Sequence, residues 1–277
     1  RIFFKILLGF IIVLSLIGLL VVLNSSDRLS VLGGGPIVFA RWMNIGLIIL
    51  FFIKQSSINK KSILLMLFFL VLSLAAGSRG PVFSLAITFA VYFFLNFQKV
   101  FLRVLFFSFL IASIAFFSGI NTSILGIGKT ERLVTKDNRS KTARMVFASR
   151  SFDLMSHYPL GVGLGNWQVY ANKIKPTHLL KHQYPHNLVL EIFAELGIIS
   201  GILFLILLLK ILFYNYKKIY LNKNNEHSFY PLLFYLQFYL IINSFFSGSL
   251  NDSRLLFVVI AMSLIEIPLI LKAKKNV

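Results

Sequence analysis

Long apolar runs separated by short polar connections dominate the chain. Eight runs approach the roughly 20 residues that a helix needs to cross a membrane, and they cover residues 2–23, 36–53, 62–77, 81–97, 100–120, 186–213, 229–247 and 254–271. The third and fourth runs are short and meet at Ser78-Arg79-Gly80, as in a hairpin of two tilted helices. The pattern predicts an all-α polytopic membrane protein with about eight transmembrane helices.

One polar connection, residues 121–185, is much longer than the others and carries ten lysines and arginines against three acids. Within it, Met145, Ala148, Phe152 and Met155 recur at spacings of three and four, which predicts a short amphipathic helix over residues 142–156. This helix is too short and too charged to span a membrane, so we expect it at the membrane surface, ending before Tyr158-Pro159. Long loops in compact proteins are usually functional.

The distribution of basic residues orients the helices. If both ends of the chain are cytoplasmic, every inside connection carries two or more basic residues, as the positive-inside rule requires. The long connection then lies on the outer face, since loops of this length are translocated regardless of charge. Three regions follow: five N-terminal transmembrane helices (1–120), a large outer loop (121–185), and three C-terminal transmembrane helices with a basic cytoplasmic tail (186–277).

Composition agrees with a membrane protein. The chain has 277 residues, of which 57% are hydrophobic and 13% charged, and its mean hydropathy is +0.83; a soluble domain needs more polar surface. The net charge of +19 would suggest nucleic acid in a soluble protein. Here it is divided between cytoplasmic connections and an anion site, so we predict membrane lipids and no nucleic acid as partners. The absence of cysteine excludes disulfides. The chain starts at Arg1 directly before an apolar run, which favours a piece of a longer membrane protein over a cleaved signal peptide.

Arg79 lies between two apolar runs, where an arginine normally needs an anionic partner. It either caps the hairpin by snorkelling or binds phosphate through two parallel hydrogen bonds. Downstream, Gly161-Val162-Gly163-Leu164-Gly165-Asn166 resembles a phosphate-binding loop but follows a helix rather than a strand. We expect its glycines to let the backbone turn tightly and approach a ligand or a neighbouring helix.

The histidines suggest acid–base chemistry rather than a metal. His178, His182 and His186 are spaced by four, but Pro185 interrupts the helix that would align them. His186 opens an apolar run and could accept a proton near neutral pH, or merely mark a helix start. Glu191 and Glu195 follow within the sixth run, as partners for arginines or as a proton relay.

Taken together, these segments resemble the O-antigen ligase/polymerase superfamily. The resemblance rests on Ser78-Arg79-Gly80, Arg144, the stretch from His157 to Asn166, Pro185-His186-Asn187 and the stretch from Glu195 to Gly201. Tyr158 departs from the family, which often has histidine before the proline, and further N-terminal helices of the family are absent here.

The resemblance implies a glycosyltransferase with a GT-C-like helical fold in the bacterial inner membrane, its active site facing the periplasm. No Asp-x-Asp metal motif occurs in the loop, so we expect a metal-independent mechanism without a cofactor. It would take a glycan from an undecaprenyl-diphosphate carrier and pass it to lipid A–core, as a ligase, or to a second carrier-linked glycan, as a polymerase. The implied catalytic residues are His186 as base and Arg79 and Arg144 on the diphosphate. The remaining residues expected to bind substrate are Arg150, Gly163, Gly165, Asn187 and Glu195.

Two other classes of function stay open from the sequence. A membrane transporter or a flippase for lipid-linked glycans would use Glu191, Glu195 and Glu266 as coupling groups. A structural membrane subunit would need none of these residues. Transporters tend to show two similar halves with interrupted helices, and the chain contains one long loop and no repeat.

Overall fold

A computed structural model describes residues 2–24, 29–32, 34–53, 59–96, 138–175, 184–221 and 229–275. The side chains of 23–24, 138–142 and 265–275 are not part of that description. Within the described residues every regular element is a helix, and the chain divides into two compact units. The first unit comprises residues 1–136 and 222–239, and the second comprises residues 137–221 and 240–277.

The first unit is built around one buried helix. It contains α1 (Ile2–Asn24), α2 (Gly35–Ile53), α3 (Lys60–Ala75) and α4 (Arg79–Asn96), and α2 packs against the other three. Two glycines make this close packing possible, because a side chain at Gly18 would meet the Phe39 ring and one at Gly46 would meet Ile11 and Phe69. Small residues at such crossings are typical of membrane helices, since they let backbones approach.

The second unit combines short helices with long ones. It contains α5 (Asn138–His157), α6 (Trp167–Ile174), α7 (Leu188–Leu196), α8 (Ile198–Leu221) and α10 (Arg254–Lys275). Helix α9 (Tyr230–Ser247) passes from the first unit to the second at residue 240. A buried core joins α5, α6 and α7 through six residues: Phe147, Leu154, Val162, Trp167, Ala171 and Ala194.

Four of the described helices are long and apolar enough to cross a membrane: α1 over Ile2–Val22, α2, α4 and α8. The break between the third and fourth runs falls where the sequence placed it, since α3 ends at Ala75 and α4 begins at Arg79. The fifth apolar run, 100–120, lies outside the described residues.

Two sequence predictions on helix boundaries have different outcomes. The helix predicted over 142–156 is confirmed, and it extends over Asn138–His157. The sixth apolar run, predicted as one helix over 186–213, is instead divided at Gly197 into α7 and α8. The membrane-length helix therefore begins at Ile198.

Candidate functional site

The glycine-rich segment Tyr158–Asn166, called the glycine loop below, is bound along the end of α7. The Val162 amide donates to the Ala194 carbonyl at 3.1 Å, and the Gly163 amide donates to the Glu195 carbonyl at 2.8 Å. In return, the Ile198 amide donates to the Pro159 carbonyl at 2.9 Å. These bonds give the loop one defined position on the helix.

Two glycines allow this contact. Gly161 and Gly197 both have φ of 89°, a conformation that residues with side chains rarely adopt. A Cβ atom on Gly161 would lie 2.5 Å from the Gly197 nitrogen, and one on Gly197 would lie 2.6 Å from the Leu160 carbonyl carbon. The expectation that the glycines let the backbone approach a neighbouring helix is confirmed.

Glu195 joins this loop to α6. Its side chain is buried, and its two oxygens accept hydrogen bonds from the Gly165 amide at 2.9 Å and the Trp167 amide at 3.1 Å. Trp167 is the first residue of α6, and a carboxylate bound to the amide at the start of a helix also interacts favourably with the helix dipole. Glu195 therefore organises the glycine loop and the start of α6.

Helix α6 is in turn held on α5. The Trp167 indole donates to the Ser151 hydroxyl at 2.9 Å and packs edge-on against the Phe147 ring. Arg150 is buried at the same interface, where its guanidinium donates to the Ala171 carbonyl at 3.4 Å. Of the loop arginines predicted to bind substrate, Arg150 thus lies inside the unit, whereas Arg144 is exposed on α5.

His186 occupies a strained position between aromatic rings. Its φ is 55°, in the left-handed region that is uncommon for residues other than glycine. The centroid of its ring lies 4.1 Å from that of the Tyr184 ring and 5.9 Å from that of the Phe147 ring. Its backbone carbonyl accepts a hydrogen bond from the Gly248 amide at 3.4 Å. Strained backbone of this kind is concentrated at functional sites, where the surrounding structure maintains it.

Charged neighbours act on His186 in opposite directions. Burial lowers the pKa of the His186 imidazole below its ordinary value, and the Arg144 cation lowers it further. The Asp252 carboxylate opposes them by raising the pKa. The net effect is a neutral imidazole near pH 7 beside one cation and one anion, which is the state that can accept a proton.

Asp252 belongs to the turn Gly248–Ser253 between α9 and α10, called the acidic turn below. Its carboxylate accepts a hydrogen bond from the Tyr184 hydroxyl at 3.3 Å. Asn187 contacts the adjoining end of α9, since its amide nitrogen donates to the Phe245 carbonyl at 3.3 Å. The Asn187 side-chain oxygen caps α7 by accepting from the amides of Val189 and Leu190.

Glu191 binds the acidic turn from α7. Its carboxylate accepts from the Leu250 amide at 3.1 Å. Burial raises the pKa of Glu191 to about 7; the Glu195 carboxylate and, more weakly, that of Asp252 add to the rise, while the bond from Leu250 opposes it. Glu191 and Glu195, one turn apart, thus hold two different segments against the same helix.

The residues considered in the sequence analysis fall into three groups by where the structure places them. Seven lie in the second unit: Arg144, Arg150, Gly163, Gly165, His186, Asn187 and Glu195. Arg79 lies in the first unit, where it begins α4 and is half-buried. His178 and His182 lie outside the described residues, and the side chain of Glu266 is not described. Within the described part of the chain, no three His, Asp or Glu side chains are grouped closely enough to hold a metal ion.

The sequence analysis missed Asp252 and Tyr184 as neighbours of His186. One signal was available: if the eight runs alternate in direction and both ends are cytoplasmic, the short connection before the eighth run lies on the same face as the long loop. Connections on one face can converge, so an acid there was a candidate partner for a histidine at the start of the sixth run.

Comparison with known proteins identifies the family to which the chain belongs. A family model described as O-antigen ligase matches residues 62–205, which include Arg79, Arg144, His186 and the glycine loop. Neither the curated proteins nor the solved structures provide a match. Because the matched stretch covers more than half of the sequence, the chain belongs to the O-antigen ligase family.

Proposed function

We propose that the protein transfers a glycan from an undecaprenyl-diphosphate carrier to a sugar hydroxyl at the periplasmic face of the bacterial inner membrane. The acceptor is lipid A–core if the protein is a ligase, or a second carrier-linked glycan if it is a polymerase. The observation that carries the proposal is His186, whose strained backbone, aromatic neighbours and charged partners suit a proton acceptor. No metal and no cofactor takes part in the proposed reaction.

The proposed reaction exchanges one bond to the anomeric carbon for another. The acceptor hydroxyl oxygen bonds to that carbon while the bond from the carbon to the diphosphate oxygen breaks. The hydroxyl proton passes to His186, and undecaprenyl diphosphate leaves with the electron pair of the broken bond. A positioned general base contributes roughly 10²–10⁴-fold to such a step.

Arg144 has two roles in this proposal. Its guanidinium binds the diphosphate and stabilises the charge that develops as the carrier leaves. It also lowers the pKa of His186 while the site is empty. An anionic diphosphate on Arg144 would offset that effect, so donor binding would make His186 a stronger base.

Asp252 stabilises the protonated imidazole in this proposal, and Tyr184 keeps the carboxylate and the ring together. Arg150, Glu195 and Asn187, all expected to bind substrate, act instead by positioning: their side chains bind the backbones of α6, the glycine loop and α7. The role of Arg79 on the diphosphate stays a prediction, to be tested by Arg79→Lys.

The central experiment measures donor binding and glycan transfer on the same purified variants in lipid nanodiscs. His186→Gln keeps a hydrogen-bonding side chain but cannot accept a proton at neutral pH. We expect it to bind donor normally and to lose about 10²-fold or more in transfer. The matched control is His157→Gln, an exposed histidine at the end of α5. Substantial transfer by His186→Gln would remove His186 from the base role.

Arginine variants separate the two roles of Arg144. Arg144→Lys keeps the charge but loses the planar fork, so transfer should fall while the pH profile is retained. Arg144→Ala should also move the acid limb of kcat/KM to higher pH, because the cation that lowers the pKa of His186 is gone. An unchanged pH profile in Arg144→Ala would contradict the electrostatic role.

The acceptor is identified in cells. A strain lacking a ligase has no polymer on lipid A, whereas a strain lacking a polymerase retains single repeat units there. Complementation with His186→Gln should reproduce the deletion phenotype in either case.

A further inference from the structure

Two leucines of the glycine loop point away from the protein. Leu160 is 83% exposed and Leu164 is 64% exposed, whereas Val162 between them is in the core of the second unit. A single exposed leucine needs no explanation. Here both belong to a short loop whose position is fixed by backbone hydrogen bonds to the end of α7 and the start of α8.

The loop is attached at the first residue of a membrane-length helix. Ile198, which begins α8, donates to the Pro159 carbonyl, and the Gly197 backbone lies directly against that of Leu160. Wherever the bilayer meets the start of α8, it therefore also meets Leu160.

The length of α8 shows where that boundary lies. The helix has 24 residues, and its last two turns collect the tyrosines and lysines that are typical of a membrane interface: Tyr214, Tyr216, Lys217, Lys218 and Tyr220. Crossing the hydrocarbon layer takes about 20 residues. Counting about 20 residues back from this cluster places the opposite boundary between residues 195 and 201, close to Ile198.

The surface of α8 extends this boundary to the loop. Its exposed apolar side chains recur at spacings of three and four along one face: Ile199, Ile202, Leu203, Ile206, Leu209 and Phe213. The exposed Lys210 lies on the same face in the second half of the helix, where its long side chain can extend toward the lysines at the end of α8. The part of the face before it, from Ile199 to Leu209, is suited to lipid chains. The backbone of Leu160 lies at the end of the helix where this face begins.

We infer that Leu160 and Leu164 insert into the acyl chains of the bilayer and anchor the glycine loop to the membrane surface. The partner is the phospholipid bilayer itself, and the inference does not depend on the proposed reaction. The anchor would hold Glu195 and the start of α6 at a fixed depth, since both are bound to the same loop.

The absence of cysteine from the sequence makes a direct test possible. Leu160→Cys and Leu164→Cys are each labelled with a nitrobenzoxadiazole fluorophore and reconstituted in vesicles of phosphatidylethanolamine and phosphatidylglycerol. Leu203→Cys, on the exposed face of α8, provides the lipid-exposed control, and Lys173→Cys, exposed on α6, provides the water-exposed control. Both leucines are exposed, so their replacement leaves the core intact.

Quenching by two reagents gives the result. We expect lipids that carry a spin label close to the headgroup to quench the probes at positions 160 and 164, with aqueous iodide having little effect. The probe at position 173 should show the reverse. Quenching of the 160 and 164 probes by iodide alone would place the loop in water and overturn the inference. Protection from both reagents would mean that protein covers the leucines, and would overturn it equally.

Discussion

The glycine loop and the acidic turn are both held against α7, but in different ways. The glycine loop is bound by backbone hydrogen bonds of 2.8–3.1 Å and by both oxygens of Glu195. The acidic turn is bound by Glu191 at 3.1 Å and by the carbonyl of His186 at 3.4 Å. One of these two bonds therefore ends on a carboxyl group that titrates near neutral pH.

The difference lies in the carboxyl groups that hold the two segments. A carboxylate whose two oxygens both accept from buried amides is costly to remove, because each amide loses its partner. A buried carboxyl group with one amide and two acidic neighbours has its pKa raised. We therefore expect the attachment of the acidic turn, which carries Asp252, to depend on the ionisation of Glu191.

The largest effect should come from Glu195→Ala. It leaves the amides of Gly165 and Trp167 without their acceptor, and a buried unsatisfied donor costs about 1–3 kcal/mol. Thermal unfolding in detergent should show this loss, with Glu195→Gln intermediate because it keeps one acceptor oxygen. The matched control is Glu191→Ala, which removes one bond. Equal destabilisation by the two alanine variants would erase the contrast between the two segments.

Glu191→Gln should stabilise the protein at high pH. The folded state raises the pKa of Glu191 from 4.5 to about 7, so the contribution of Glu191 to stability is fully present below pH 4.5 and is lost as the pH rises to 7. The glutamine stays neutral and can still accept from Leu250. Its advantage over wild type should be absent near pH 4 and reach up to about 3 kcal/mol at pH 8.

Unfolding temperatures of the wild type and the Glu191→Gln variant at the two pH values test this expectation. Glu195→Gln serves as the comparison and should be less stable than wild type at both pH values, because it loses one of two acceptor oxygens. If Glu191→Gln is also less stable than wild type at both pH values, the charged carboxylate of Glu191 is needed to hold the acidic turn, and the expectation is wrong.

A smaller effect is expected from Asp252→Asn. The substitution removes the charge that raises the pKa of His186, so that pKa falls further. The acid limb of the kcat profile should move to lower pH, and the maximal rate should fall severalfold, because a weaker base takes up the proton of the acceptor hydroxyl less readily. If Asp252 had only a structural role, Asp252→Asn would lower the activity without moving the acid limb of the kcat profile.

Residues with local roles were predictable from the sequence, and residues with distant partners were not. The helix over Asn138–His157 followed from the spacing of its apolar residues, and its end followed from Tyr158-Pro159. The close approach of the glycine loop to a helix followed from the glycines themselves, because few other residues permit it.

The division of the sixth run at Gly197 could not be predicted in the same way. An apolar run shows that a segment prefers an apolar environment, and it contains no information on where the glycine loop will contact it. The role of Glu195 depends on the same contact, with partners 28 and 30 residues earlier in the chain. Asp252 is farther still from His186 in sequence, so its effect on the imidazole appears only in the folded chain.

The hydrogen bond from the Ile198 amide to the Pro159 carbonyl links the start of α8 to the glycine loop. The first amide of a helix has no partner within the helix, and near lipid an unsatisfied amide is costly. Here the partner is a carbonyl that is synthesised earlier in the chain. The glycine loop and the start of α8 therefore complete each other's hydrogen bonding, so we expect the two to take up their positions together. A side chain at Gly197 would meet the Pro159 carbonyl oxygen, so one substitution there would disturb the loop and the helix at once.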